Sequence, residues 1–194
     1  MKLSITYQES YSRGELLLRA FLGYFYLVLP HVFALSIFGI WGGIIRFISW
    51  WSILFTGRYP QSFFEFQVGL MKWSLRLNAR MFNLCDGYPS FGINGTDEYT
   101  SLEIEYPESL SRGTLLLKSF LGMFYVMLPH GFILYFRLLW GMILGFLGFW
   151  AILFTGKQPE SWHAFNVGTI RWSNRVSLYM GFMTDEYPPF SSKE

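Results

Sequence analysis

Leu16 opens a stretch that stays apolar until Phe55, broken by strong polar groups only at Arg19, His31 and Arg46. The same pattern returns from Leu115 to Phe154, broken only by Lys118, His130 and Arg137. Each run is about forty residues, and roughly twenty apolar residues suffice to cross a bilayer. The pattern therefore predicts a transmembrane helical hairpin in each run, turning near Gly39, Gly42 and Gly43 in the first. The arms are expected at about Leu16–Phe38 and Trp41–Phe55, then at Leu115–Phe136 and Leu138–Phe154. The second arm of each pair is short for a hydrocarbon core of about 30 Å, so it would cross a thinned bilayer or dip in without crossing. Pro30 and Pro129 fall within the first arms, where a missing backbone donor should kink the helix.

The flanks differ in period. Leu3, Ile5 and Tyr7 alternate with polar residues, as do Leu102, Ile104 and Tyr106, which predicts a short strand ahead of each run. Ser12 and Ser111 are placed to cap the helices that follow. Each run stops at Phe-Thr-Gly with a proline three residues on, a strong termination signal. Beyond it, Glu65, Gly69, Lys72, Arg76, Arg80 and Asn83 recur at helical spacing, with Phe66, Leu70, Trp73 and Leu77 off that stripe. Helices over about 60–84 and 159–183 follow from this, amphipathic and basic, and best placed in the headgroup plane. A helix packed on its own domain is the alternative.

These parallels are one duplication. Displaced by 99 residues without a gap, the chain matches itself at 44 of 95 positions. Repeat one is 1–95, a linker covers 96–99, and repeat two is 100–194. The expected fold is mainly α and integral to a membrane: two parallel repeats, each with a short strand, a transmembrane hairpin and an interfacial helix.

Composition sharpens this. Aromatic residues make up 21% and charged residues 14% of the chain, the latter well below the roughly 25% of soluble domains. Of 15 Lys and Arg residues, only Arg46 and Arg137 fall inside or at the tip of a hairpin. Arg19 and Lys118 are near enough to the arm starts to snorkel to the interface. The positive-inside rule then predicts a multi-pass protein with both termini cytoplasmic. The polar start gives no sign of a cleavable signal peptide. Cys85, the single cysteine, allows no intrachain disulfide.

Several ordered motifs are shared by the copies. Leu-Pro-His is followed by Phe-Thr-Gly, then Arg-Trp-Ser-x-Arg and Thr-Asp-x-Tyr-Pro-Pro-Phe, most complete at Leu128–His130, Phe154–Gly156, Arg171–Arg175 and Thr184–Phe190. Their order resembles the bacterial membrane family called domain of unknown function 4389. Copy one departs at Lys72, Cys85 and Ser90. The resemblance implies a bacterial source and an integral membrane protein, and implies no activity; the expected location is the bacterial inner membrane.

Two sets of residues are candidates for function. His31 and His130 each follow proline within an apolar run, and could meet between the repeats as a proton relay or metal pair. The simpler reading is a neutral imidazole bonded to nearby backbone. Lys72, Arg76, Arg171 and Arg175, with Trp73 and Trp172, could hold anionic lipid headgroups or the acidic face of a partner. Arg13 and Arg112 could cap helix ends or meet Glu9 and Glu108. No nucleophile elbow, carboxylate pair, metal set, cofactor fingerprint or phosphate loop is present, and the basic footprint is too weak for nucleic acid. The expectation is a non-enzymatic scaffold or accessory subunit, its partners the bilayer and other membrane subunits. A lipid-handling or small-solute transport protein, with the Pro-His kinks lining a path, is the alternative.

Overall fold

The computed structural model describes residues 1–193. Its elements are β1 (Lys2–Ile5), α1 (Arg13–Thr56), α2 (Gln61–Met81), β2 (Thr100–Glu103), α3 (Arg112–Thr155) and α4 (Glu160–Met180). Local signals set most of the boundaries. The Ser12 and Ser111 hydroxyls accept from the backbone N–H groups of Glu15 and Thr114, capping α1 and α3. Gly57 and Gly156 end the same helices with φ of 73° and 74°, a left-handed conformation that disfavours a Cβ.

The hairpins expected in the apolar runs do not form. Helix α1 passes through Gly39, Gly42 and Gly43 without a turn, and α3 passes unbroken through Phe136–Leu138. Each is 44 residues long, about 66 Å at 1.5 Å per residue. Both are long and apolar enough to cross a membrane, and only 17% and 22% of their most apolar windows are buried within the protein. Glycine interrupts a helix only weakly, costing about 1 kcal/mol against alanine. At Gly42 that cost meets a packing requirement. A Cβ there would lie 2.9 Å from Leu70 Cδ1, and at the matching Gly141 it would lie 2.5 Å from Asn166 Oδ1. These glycines let α2 and α4 approach the long helices, as contact points within each repeat.

The disturbance in each long helix comes instead at proline. Residues Tyr24–Val28 and Met123–Met127 widen into a π-helical turn just before Pro30 and Pro129, where a standard turn would press the ring on the carbonyl four residues back.

Helix α2 folds back along α1. Gln67 donates to the Gly42 carbonyl at 2.6 Å, and Trp73 donates to His31 at 2.8 Å. On its far side α2 packs against the β1–β2 ribbon through Leu75 and Ala79, which meet Leu3, Ile5 and Leu102. Helix α2 is thus held between α1 and other parts of the protein, with Trp73, Arg76, Leu77 and Arg80 all buried. The sequence placed the helix correctly, but Arg76 and Arg80 of its basic stripe are turned into the protein, while Lys72 stays exposed.

The predicted strands pair with each other. Their antiparallel register centres on Leu3 opposite Leu102, two equivalent positions of the duplication. A local two-fold axis therefore passes through the ribbon, and the contacts between repeats come in reciprocal pairs. The Tyr11 N–H donates to the Gly156 carbonyl and the Leu110 N–H to the Gly57 carbonyl, at 2.8 and 2.7 Å. Arg13 donates to the Phe154 carbonyl and Arg112 to the Phe55 carbonyl. Each arginine caps the C-terminal end of the other repeat's long helix, where unpaired carbonyls collect. The start of α1 lies at the end of α3 and the converse, so the long helices are antiparallel.

Candidate functional site

Pro30 has no N–H, so the carbonyl of Tyr26, four residues earlier, loses its helical donor. The Tyr88 hydroxyl supplies one at 3.2 Å. In repeat two the Tyr187 hydroxyl donates to the Tyr125 carbonyl, four residues before Pro129, at 3.0 Å. The tyrosine of the closing Asp-x-Tyr-Pro motif thus completes the turn that the proline opens.

The histidines belong to the same lock. His31 and His130 are fully buried. Trp73 Nε1 donates to His31 Nδ1 at 2.8 Å, and Trp172 Nε1 to His130 Nδ1 at 2.9 Å. An indole only donates, so each Nδ1 carries a lone pair and the ring proton sits on Nε2. His130 Nε2 then donates to the Tyr187 hydroxyl at 3.1 Å, extending a chain from Trp172 to the Tyr125 carbonyl. Phe190 stacks on His130 with ring centres 3.9 Å apart, and Phe91 covers His31 at 4.0 Å. Each histidine is enclosed by its own repeat, so the pair does not meet as a relay or shared metal site. Among the described residues, no three His, Cys, Asp or Glu side chains converge on a possible metal position.

Below each lock lies a buried ion pair. Arg19 meets Asp86 at 2.9 Å and Lys118 meets Asp185 at 3.1 Å. The same carboxylates accept from the Ser12 and Ser111 N–H groups at the helix starts. Snorkelling would turn Arg19 and Lys118 outward; they are instead turned into the protein, with side-chain exposures of 7% and 1%. The signal was legible, because the charge is kept when Arg19 becomes Lys118 while Asp86 and Asp185 match.

The basic stripe is also spent internally. Arg76 donates to the carbonyls of Ser90, Gly92 and Gly95, and burial lowers its pKa from the usual arginine value. Arg171 donates to the Leu3 carbonyl at 2.9 Å and to the Ser192 carbonyl at 3.1 Å, joining α4 to β1. Arg175 donates to the carbonyls of Ser191 and Lys193. Trp73 and Trp172 are buried, which leaves Lys72 as the exposed member of the predicted set. Arg80, whose repeat mate is Tyr179, pairs with Asp97 of the linker. Arg137 lies over the Phe165 ring at 4.3 Å and donates to Thr169 Oγ1.

What stays open is apolar. Between Leu17 and Phe55, α1 exposes bulky side chains such as Phe21, Phe33, Ile40, Phe47 and Phe55, each more than 60% accessible. Helix α3 does the same through Phe120, Phe132, Phe146 and Phe154. A contiguous apolar surface of this extent marks a partner or a membrane.

Comparison with known proteins returns one family. Residues 16–92 and 119–192 match the family described as domain of unknown function (DUF4389). No curated protein matches the chain, and no solved structure does.

Proposed function

The chain belongs to the DUF4389 family as a tandem pair of its units, and from that premise we propose a non-enzymatic membrane protein, a scaffold or accessory subunit of a larger assembly in the bacterial inner membrane. The observation that carries the reading is the exposed apolar face on both 44-residue helices. Soluble proteins rarely leave so much contiguous apolar surface in water. The motif residues support a structural role: the prolines, histidines, tryptophans and tyrosines of each copy hold one another and close the turn before the proline. The Pro-His positions are filled by Trp and Phe rings, which speaks against a path lined by them. Lys72 and the exposed arginines at the helix ends would meet anionic headgroups on the cytoplasmic side.

The test is purification of the full chain from native membranes in mild detergent, with mass spectrometry of whatever remains at fixed stoichiometry. A constant protein companion supports the accessory role and names the assembly. A lone protein carrying a defined lipid overturns it in favour of lipid handling.

A further inference from the structure

We infer that the long helices do not cross the bilayer: α1 and α3 lie in the membrane plane with their exposed faces among the acyl chains of one leaflet. The inference deepens the membrane reading above and rests on it.

The first observation is length. Exposed apolar residues run from Leu17 to Phe55, 38 steps of about 1.5 Å, or about 57 Å. A hydrocarbon core is about 30 Å thick. An upright helix of this kind would leave nearly half its exposed apolar face in water.

The second is symmetry. The two-fold axis reverses α1 into α3. Two antiparallel helices that cross a membrane need that axis in the bilayer plane. The β1–β2 ribbon lies on the axis, so it would then sit at the mid-depth of the hydrocarbon, with Lys2 and Glu103 exposed. Open sheet edges facing lipid do not occur there. An axis along the membrane normal removes the conflict. It gives both repeats the same orientation to the membrane, as their shared charge pattern requires. Helices that are antiparallel about such an axis must lie across it, in the plane.

The third is what runs beside α1. Helix α2 follows it from Gly42 to His31, and exposes Glu65 and Lys72. With α1 upright, these charges would sit at membrane depth, where ionisable side chains are costly. With α1 in the plane, α2 and the ribbon lie above it in the headgroup and aqueous layers. The occupant of the apolar face is therefore the lipid of a single leaflet.

Single cysteines test this in the full chain at Gly14, Arg58, Gly113 and Lys157, all at the four helix ends. Cys85 is buried, with its thiol pushed up to about 12 by that burial, so it contributes little background. A membrane-impermeant maleimide is applied to sealed vesicles of each orientation. All four sites are expected to label from the same side and from that side only. Labelling of Gly14→Cys and Arg58→Cys from opposite sides overturns the in-plane arrangement and leaves the membrane reading intact. Release of the wild-type chain by an alkaline carbonate wash overturns the membrane reading itself. Polarised infrared absorption of the unmodified protein in oriented bilayers reads the helix direction without a variant. Amide transitions aligned as for helices in the bilayer plane support the inference, and alignment as for helices along the normal refutes it.

Discussion

Replacing Asp185 by asparagine keeps the side chain's shape and removes its charge. The carboxylate makes two bonds: Lys118 Nζ donates to Oδ1 at 3.1 Å, and the Ser111 N–H donates to Oδ2 at 2.6 Å. Lys118 is 1% exposed and, among the described residues, has otherwise only the Thr184 carbonyl and the face of the Tyr179 ring, 4.1 Å away. Stranding one partner of a buried ion pair costs about 3–5 kcal/mol. Asp185 is itself 30% exposed, so part of its charge is already screened, and a loss of about 2–3 kcal/mol is expected. For a chain of this size that is a fall in Tm of roughly 4–12 °C. Unfolding of the purified protein in mild detergent, followed by tryptophan fluorescence, reads it directly. Lys118→Met with Asp185→Asn completes a double-mutant cycle. The pair should lose less than the sum of the two single changes, because no charge is left buried alone. Additive losses, or an Asp185→Asn protein within about 0.5 kcal/mol of wild type, would refute the idea that this pair holds the closing motif to α3.

Three further outcomes follow from the same geometry. Tyr187→Phe removes the donor to the Tyr125 carbonyl and the acceptor for His130 Nε2; a loss of about 1–3 kcal/mol in the same unfolding measurement is expected. Gly141→Ala would bring a Cβ within 2.5 Å of Asn166 Oδ1, and the forced repacking of α4 on α3 should cost about 1–3 kcal/mol, whereas Gly145, with open space around it, should accept alanine without loss. Burial acts to raise the Asp97 pKa, but hydrogen bonds from Arg80 and from the Tyr99 N–H outweigh it and hold the carboxyl below its ordinary value. Its contribution is therefore full above the unfolded value of about 3.9 and is lost as the pH falls through the lower folded value. Asp97→Asn should flatten the acid limb of a stability-against-pH curve, and an unchanged limb counts against the assignment.

The short-range features of this protein were readable in its residues because each depends on a few neighbouring atoms. Ser12 and Ser111 cap their helices, Gly57 and Gly156 end them, and the five-residue alternations at Leu3 and Leu102 become strands. The starts of α2 and α4 followed from the proline before them, while both helices end three residues short of the expected 84 and 183. The exchange of Arg19 for Lys118 opposite matching aspartates also held a signal of the ion pair, which the reading of these two residues as snorkelling passed over.

Tertiary structure decided the rest. Gly39, Gly42 and Gly43 could as well have turned the chain as sat within a helix; in the unbroken helix Gln67 and Leu70 pack on Gly42, while Gly39 and Gly43 face open space. Periodicity marked Arg76 as part of a polar stripe, but a stripe looks the same whether it meets water or the carbonyls of Ser90, Gly92 and Gly95. The reversal of α1 against α3 was beyond any local signal. It arises because Leu3 pairs with Leu102, its own repeat mate, and a two-fold through that pair turns one long helix against the other. Backbone chemistry and side-chain period set the elements; contacts between residues a hundred positions apart set which way each face points.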